Sequence, residues 1–134
     1  MSNNAELVRR GHAAYSAAFK TGDPSRLLSL LDPKVEWLSG AGAMEGEFHG
    51  RDGVRRWLND VWESWEELEL ETEEVVEGAH GRVFAAARIR GRGKSSRATV
   101  EMRMYEIVEI RDDLIARRAD FATRESAMAA AGDG

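Results

Sequence analysis

Three side chains stand where proton chemistry could be done. Glu106 lies in the stretch 99–110 (TVEMRMYEIVEI), which alternates as a strand does and puts Glu106 on the parity of Val100, Met102 and Met104. A carboxylate among apolar neighbours either titrates abnormally or finds a partner. Asp120, in Arg118-Ala119-Asp120-Phe121, falls near the end of the last predicted strand. Desolvated in an apolar pocket it would suit acid or base work. Tyr15 sits in the middle of an apolar helical stripe, where its hydroxyl either completes the core or donates into a pocket.

Register decides which carboxylates reach such a pocket. A two-residue turn at Asp112-Asp113 pairs Asp120 with Tyr105, on the face opposite Met102 and Met104, and leaves Asp120 solvated or ion-paired. A bulge shifts the register: it can bring Asp120 to the pocket face, or turn Glu106 outward and Tyr105 inward. Candidate lining residues are Phe19, Trp37, Phe48, His49, Trp57, Val100, Met102, Met104, Tyr105 and Phe121. Trp62 and Trp65 read as core. His12, His49 and His80 lack metal-ligand spacing, Gly91-Arg92-Gly93 reads as a turn, and no phosphate-binding glycine loop is present, so no metal or cofactor is expected.

These residues need elements to hold them. Leu7, Val8, Gly11, Ala14, Tyr15, Ala18 and Phe19 recur at three- and four-residue steps and predict a first helix, stopped by Gly22. Asp23-Pro24 predicts a short second helix, with aspartate as N-cap and proline in its first turn, ending at Asp32-Pro33. Val35-Glu36-Trp37-Leu38 reads as a short strand and 39–46 as a glycine- and alanine-rich loop. A third helix follows Gly50, with Asp52 as its cap and Val54, Trp57, Leu58, Val61, Trp62 and Trp65 as its apolar stripe.

Strands fill most of the remainder. Residues 67–73 alternate strictly, with Glu67, Glu69, Glu71 and Glu73 on one face, and 82–92 return with Arg82, Arg88, Arg90 and Arg92. Closing that hairpin with Glu77 opposite Arg82 sets Glu71 against Arg88, Glu69 against Arg90, Glu67 against Arg92, Leu70 against Ile89 and Val76 against Val83. Such a charge ladder accounts for Arg88 and Arg90 better than an anion site does. The next hairpin, closed with Arg92 opposite Arg97, sets Arg88 against Glu101, Ala87 against Met102 and Ala85 against Met104. Phe84, Ala86, Tyr105 and Ile107 share the outer face as an apolar patch suited to a homodimer. Thr123 caps a last short helix. Helices followed by an antiparallel meander predict an α+β domain, with helices covering one face of a curved sheet and a pocket between.

Composition narrows the partners. The chain has 134 residues, a net charge of −5 and no cysteine. One domain over 1–134, with a core of about 5–131, is expected. An acidic chain is ill suited to nucleic acid or an anionic membrane. Without cysteine there is no disulfide framework and no thiolate nucleophile. No apolar run approaches about 18 residues, and no signal pattern opens the chain, so a soluble cytoplasmic protein is expected.

The order of helix, Gly22-Asp23, short helix, Val35-Glu36-Trp37, Phe48-His49-Gly50-Arg51-Asp52-Gly53-Val54, long hairpins and Asp112-Asp113-Leu114-Ile115 resembles the SnoaL-like proteins of the ketosteroid isomerase and nuclear transport factor two superfamily. The resemblance covers residues 5–131. It implies a cone-shaped α+β barrel with a buried pocket and commonly a dimer, in a family of isomerases, polyketide cyclases, epoxide hydrolases and non-catalytic binders. Tyr15 matches the tyrosine that donates to the substrate oxygen in ketosteroid isomerase, where an aspartate base works opposite such a tyrosine. Trp37 stands where that enzyme has its aspartate base, so steroid isomerisation is not expected. Asp120 lies near the acid or base of the cyclases and epoxide hydrolases. Two readings follow. One is an enzyme for a small apolar or amphipathic oxygenated molecule, using Asp120 or Glu106 with Tyr15. The other is a non-catalytic binding or dimerisation module.

Overall fold

The computed structural model describes residues 3–40 and 46–132. Helix α1 (Asn4–Thr21) buries Leu7, Val8, Gly11, His12, Ala14, Tyr15 and Ala18, which is the expected stripe with His12 added and Phe19 only half-buried. Gly22, at φ 75°, ends it in the left-handed conformation that a side chain would resist. Helix α2 (Ser25–Ser29) is shorter than expected. Asp23 sits one residue before its cap and accepts from the Ser25 backbone N–H and hydroxyl. Strand β1 (Leu31–Ser39) takes in Asp32 and Pro33, where a stop was expected. Pro33 is tolerated because the pairing of β1 is broken between Leu31 and Glu36.

Strand β2 (Gly46–His49) departs from expectation: four residues beside a glycine-rich run carry too little alternation to read. Most of the expected 39–46 loop falls outside the described residues. Helix α3 (Gly50–Ser64) starts after His49, three residues earlier than an Asp52 cap implies. Asp52 instead lies in the first turn, where its charge favours the helix N-terminus. Four long strands follow: β3 (Trp65–Glu77), β4 (Arg82–Gly93), β5 (Thr99–Arg111) and β6 (Leu114–Phe121). Helix α4 (Arg124–Gly132) closes the described chain, with Thr123 Oγ1 accepting from the Ser126 N–H.

The expected α+β arrangement, N-terminal helices on a curved sheet, is present. The sheet is open and mixed, in the order β2-β1-β6-β5-β4-β3, with β1 and β6 parallel and every other neighbouring pair antiparallel. The main core lies between the helices and the inner sheet face and includes Leu27, Leu31, Val54, Leu58, Val61 and Val83, each at most 1% exposed. A second cluster of Phe84, Ala86, Ile107 and Ala127 lies on the outer face, where α4 packs against it with Tyr105 and Phe121 at its edge. The outer patch expected to meet a second copy is thus covered within the chain. Arg82 donates to the Ala131 carbonyl and Arg124 pairs with Glu74, fixing α4 there.

Register departs from expectation in three informative ways. Glu67, Glu69, Leu70 and Glu71 pair with Arg92, Arg90, Ile89 and Arg88 as expected, but a bulge between Thr72 and Glu74 then moves Val76 opposite Phe84. The β4–β5 hairpin is slid by two, because its turn is longer: Arg92 meets Thr99, Arg90 meets Glu101 and Ala87 meets Met104. A two-residue slip preserves which face each side chain takes. The Asp112-Asp113 turn forms as expected, both residues at positive φ, the mark of a tight hairpin turn. One residue of β6 is then bulged between Ile115 and Arg117, so Asp120 pairs with Glu106 and not with Tyr105.

Candidate functional site

That bulge turns Arg118 and Asp120 to the inner face, beside Glu106. Helix α1 brings His12 over them, and the four residues form one buried polar chain. Glu106 Oε1 accepts from His12 Nε2 at 2.5 Å, and Glu106 Oε2 accepts from Arg118 Nε at 2.5 Å. Arg118 Nη1 stands 2.7 Å from Asp120 Oδ2, an ion pair without hydrogen-bond alignment. Arg118 Nη2 donates to the Met104 sulfur. Asp120 also accepts from the Gly40 N–H at 2.9 Å and the Ser39 hydroxyl at 3.3 Å. His12 Nδ1 faces Thr72 Oγ1 at 2.6 Å, at the β3 bulge. Side chains of Glu106, Arg118 and Asp120 are 4%, 6% and 1% exposed, so water screens none of them.

Aromatic rings complete the enclosure. The Arg118 guanidinium lies 4.6 Å from the Trp37 ring centre, Trp57 packs 5.3 Å from Trp37, and Tyr15 packs 5.4 Å from Trp57. The cavity beside them is about 40 Å³. Its apolar walls come from Val8 and Gly11 on α1, Leu27 on α2, Leu70, Ile89 and Val108 on the sheet, and Ile115 on β6. At about 10–15 Å³ per water by this measure, it has room for roughly three waters or a ligand fragment of a few atoms.

The electrostatics hold Glu106 and Arg118 in their charged forms. Burial pushes the Glu106 carboxyl up, but the adjacent His12 and Arg118 outweigh it and hold the pKa at about 2. Glu106 is therefore a fixed negative charge. For Arg118, burial works against the cation, while Asp120 and Glu106 raise its pKa above the ordinary arginine value. Burial raises the pKa of the Tyr15 hydroxyl well above the usual tyrosine range, so it stays a donor.

Of the sequence-derived candidates, Tyr15, Trp37, Trp57, Met104, Glu106 and Asp120 line the cavity together. Phe19 lines a separate surface groove with Leu68 and Arg90. Val100 and Met102 stand farther along β5, opposite Gly91 and Ile89; Met102 packs against the main core and neither lines the cavity. Phe48 packs at the edge of the core and His49 is an exposed helix cap. Tyr105 and Phe121 take the outer face beneath α4. His12, Ser39 and Arg118 join the site without having been expected there. Each leaves a trace in the sequence or the topology. His12 interrupts the apolar stripe one turn after Val8, and Arg118 shares the parity of Asp120 in any register. Ser39 pairs with Asp120 across the parallel strands, a contact only the topology creates. Among the described residues, no group of three or more His, Cys, Asp or Glu could hold a metal ion, and no helix is long and apolar enough to cross a membrane.

Helices over an open curved sheet with a pocket between define a nuclear transport factor two-like fold, and solved structures agree. An NTF2-like protein of unknown function from Burkholderia pseudomallei K96243 superposes with a TM-score of 0.76 at 22% identity, covering 96% of this chain and 97% of that one. A protein described as a SnoaL-like polyketide cyclase, from Jannaschia sp. CCS1, gives 0.76 at 16%, covering 96% and 90%. A hypothetical protein with a ketosteroid isomerase-like fold from Catenulispora acidiphila DSM 44928, in complex with trimethylamine, gives 0.73 at 19%, covering 95% and 92%. No curated protein sequence matches the chain. The family model for the SnoaL-like domain matches residues 12–118, and the chain belongs to that family.

Proposed function

We propose that this chain is an acid–base enzyme for a small, largely apolar, oxygenated molecule, with Asp120 moving the proton. The observation that carries the reading is one arginine bridging two buried carboxylates at the wall of an apolar cavity. A buried ion network contributes little net stability compared with apolar packing, so stability is a weak reason for its presence. Glu106 neutralises Arg118. Arg118, with the Gly40 N–H, orients Asp120. Asp120 takes a proton from a carbon next to a carbonyl, or from water. In the carbonyl case the C–H electron pair becomes an enolate, and the Tyr15 hydroxyl on the same cavity wall donates to its oxygen. Isomerase, cyclase and hydrolase chemistry share this first step.

A test is exchange of the α-protons of small ketones with D2O, followed by NMR. The wild-type chain catalyses exchange, and Asp120→Asn lowers it by about 10²- to 10⁴-fold. An equal rate in the variant sinks the proposal. The second reading, a non-catalytic binding module, is favoured by the cavity's small volume of about 40 Å³. It predicts ketone binding with no exchange in either protein.

A further inference from the structure

The volume of the cavity limits what can react in it, and one residue stands out as setting that volume. All of its lining residues but the half-buried Leu70 are buried, so a ligand has little room to trail out of it. On the parallel strands β1 and β6, Trp37 lies beside Arg118 and Ser39 beside Asp120. These two β1 side chains, two residues apart, share the inner face and form the wall next to the Asp120 carboxylate. Ser39 is small and already donates to Asp120. Trp37 supplies the bulk: its ring packs against the Arg118 guanidinium at 4.6 Å and against Trp57 at 5.3 Å. Its indole N–H is buried and meets no hydrogen-bond acceptor among the described residues. The ring is therefore held for its area and volume, and the unmade bond is a cost that comes with it. Charge limits the ligand as well. Glu106 and Asp120 both contact the single arginine, Arg118, and His12 is taken by Glu106 and Thr72. Among the described lining residues, no cation is left for an anionic substrate.

We infer that the substrate is a neutral carbonyl compound of about four or five heavy atoms, the content of a space that holds roughly three waters, and that Trp37 is the residue that sets this limit. This deepens the proposed function and rests on its reading of Asp120 as the base. A methylene too many must displace packed side chains, and a packed interior resists that. Removing part of the indole should open apolar space that a longer ketone can fill.

The test is α-proton exchange with D2O across the 2-alkanones from acetone to 2-hexanone, each rate taken relative to exchange in acetate buffer alone. Wild-type exchange should hold from acetone to 2-butanone and then fall by about 10- to 200-fold for each methylene that does not fit. Trp37→Phe keeps a ring over Arg118 and removes the pyrrole half of the indole. It should move the fall to a longer ketone, recovering about tenfold or more on 2-pentanone relative to acetone. Should circular dichroism show that variant unfolded, Trp37→Met carries the same prediction, since methionine adapts to irregular space. Trp62→Phe, on α3 and outside the cavity lining, should keep the wild-type profile. Pyruvate has as many heavy atoms as 2-pentanone but is anionic, and even Trp37→Phe should not exchange it faster than buffer does. Rates level or rising to 2-hexanone in the wild type would show that the tail leaves past Leu70. Pyruvate exchange in Trp37→Phe equal to that of 2-pentanone would reveal a spare cation. Either result sinks the inference while Asp120 as base stands. So does a fall that stays in place in folded Trp37→Phe, or one that moves equally in Trp62→Phe. If no ketone exchanges above buffer, acetone included, both readings fail.

Discussion

Strand β5 carries two glutamates five residues apart that live in different physical worlds. Glu101 joins an outer ladder in which Arg88 bridges Glu71 and Glu101, Arg90 pairs with Glu101, and Arg92 pairs with Glu66 and Glu67. Glu106 joins His12, Arg118 and Asp120 on the inner face. The residue types are nearly the same. In the ladder the glutamates are 36–66% exposed at the side chain, and water already solvates each charge. Inside, the protein supplies all the solvation, and removing one partner leaves a buried charge with nothing to offset it. An ion pair's importance is set by what remains when it is broken, more than by its length.

The sharpest way to break this contrast is Arg118→Met. It strands Glu106 and Asp120 together and should cost about 3–5 kcal/mol in urea denaturation. Adding Glu106→Gln and Asp120→Asn should recover much of the loss, because the charges then go together. A single variant as stable as the parent would mean that water reaches the network after all.

The pH dependence separates the two regions next. The folded pKa of Glu106, about 2, lies below its ordinary 4.5. Its contribution is complete above the unfolded value and is lost as pH falls from about 4.5 towards 2. That is on the order of 3 kcal/mol, at about 1.4 kcal/mol per unit. Urea titrations at several pH values should show stability level above pH ~5 and declining below it, with the decline blunted in Glu106→Gln. The smallest effect belongs to the ladder. Arg92→Ala should cost about 0–1 kcal/mol, and the difference should vanish in 1 M salt. A larger, salt-resistant loss would show that the outer pairs act as a cooperative network.

Much of this is legible in the sequence because strand alternation survives even-numbered errors. The expected β4–β5 register is off by two, yet Met104 and Glu106 still face inward. The Glu–Arg ladder can be placed from charge alone as far as the β3 bulge. The error that matters is odd. Nothing about Ala116, a small residue in an ordinary strand, marks it as the extra residue between Ile115 and Arg117. Arg118 and Asp120 therefore read as outward-facing, and the arginine at the centre of the site draws no notice. His12 fails as a metal ligand by spacing, and that test is blind to its other property, a polar residue interrupting a core stripe. Its carboxylate partner lies 94 positions away, beyond the reach of any local pattern.

The extra residue in β6 also bears on how such a site is gained or lost. Deleting Ala116 would remove the bulge and leave every later pairing in place: Arg117 would still meet Glu109 and Asp120 would still meet Glu106, so Arg118 and Asp120 would keep the inner face. Straightening the strand with Ala116 retained would do the opposite, pairing Asp120 with Tyr105 and turning Arg118 and Asp120 to the side of α4. A shorter β6 therefore keeps the arginine–carboxylate centre, and a straightened one loses it. For a lineage that keeps one fold, loss of a residue at this point is silent for the chemistry, while gain of an unbulged one is not.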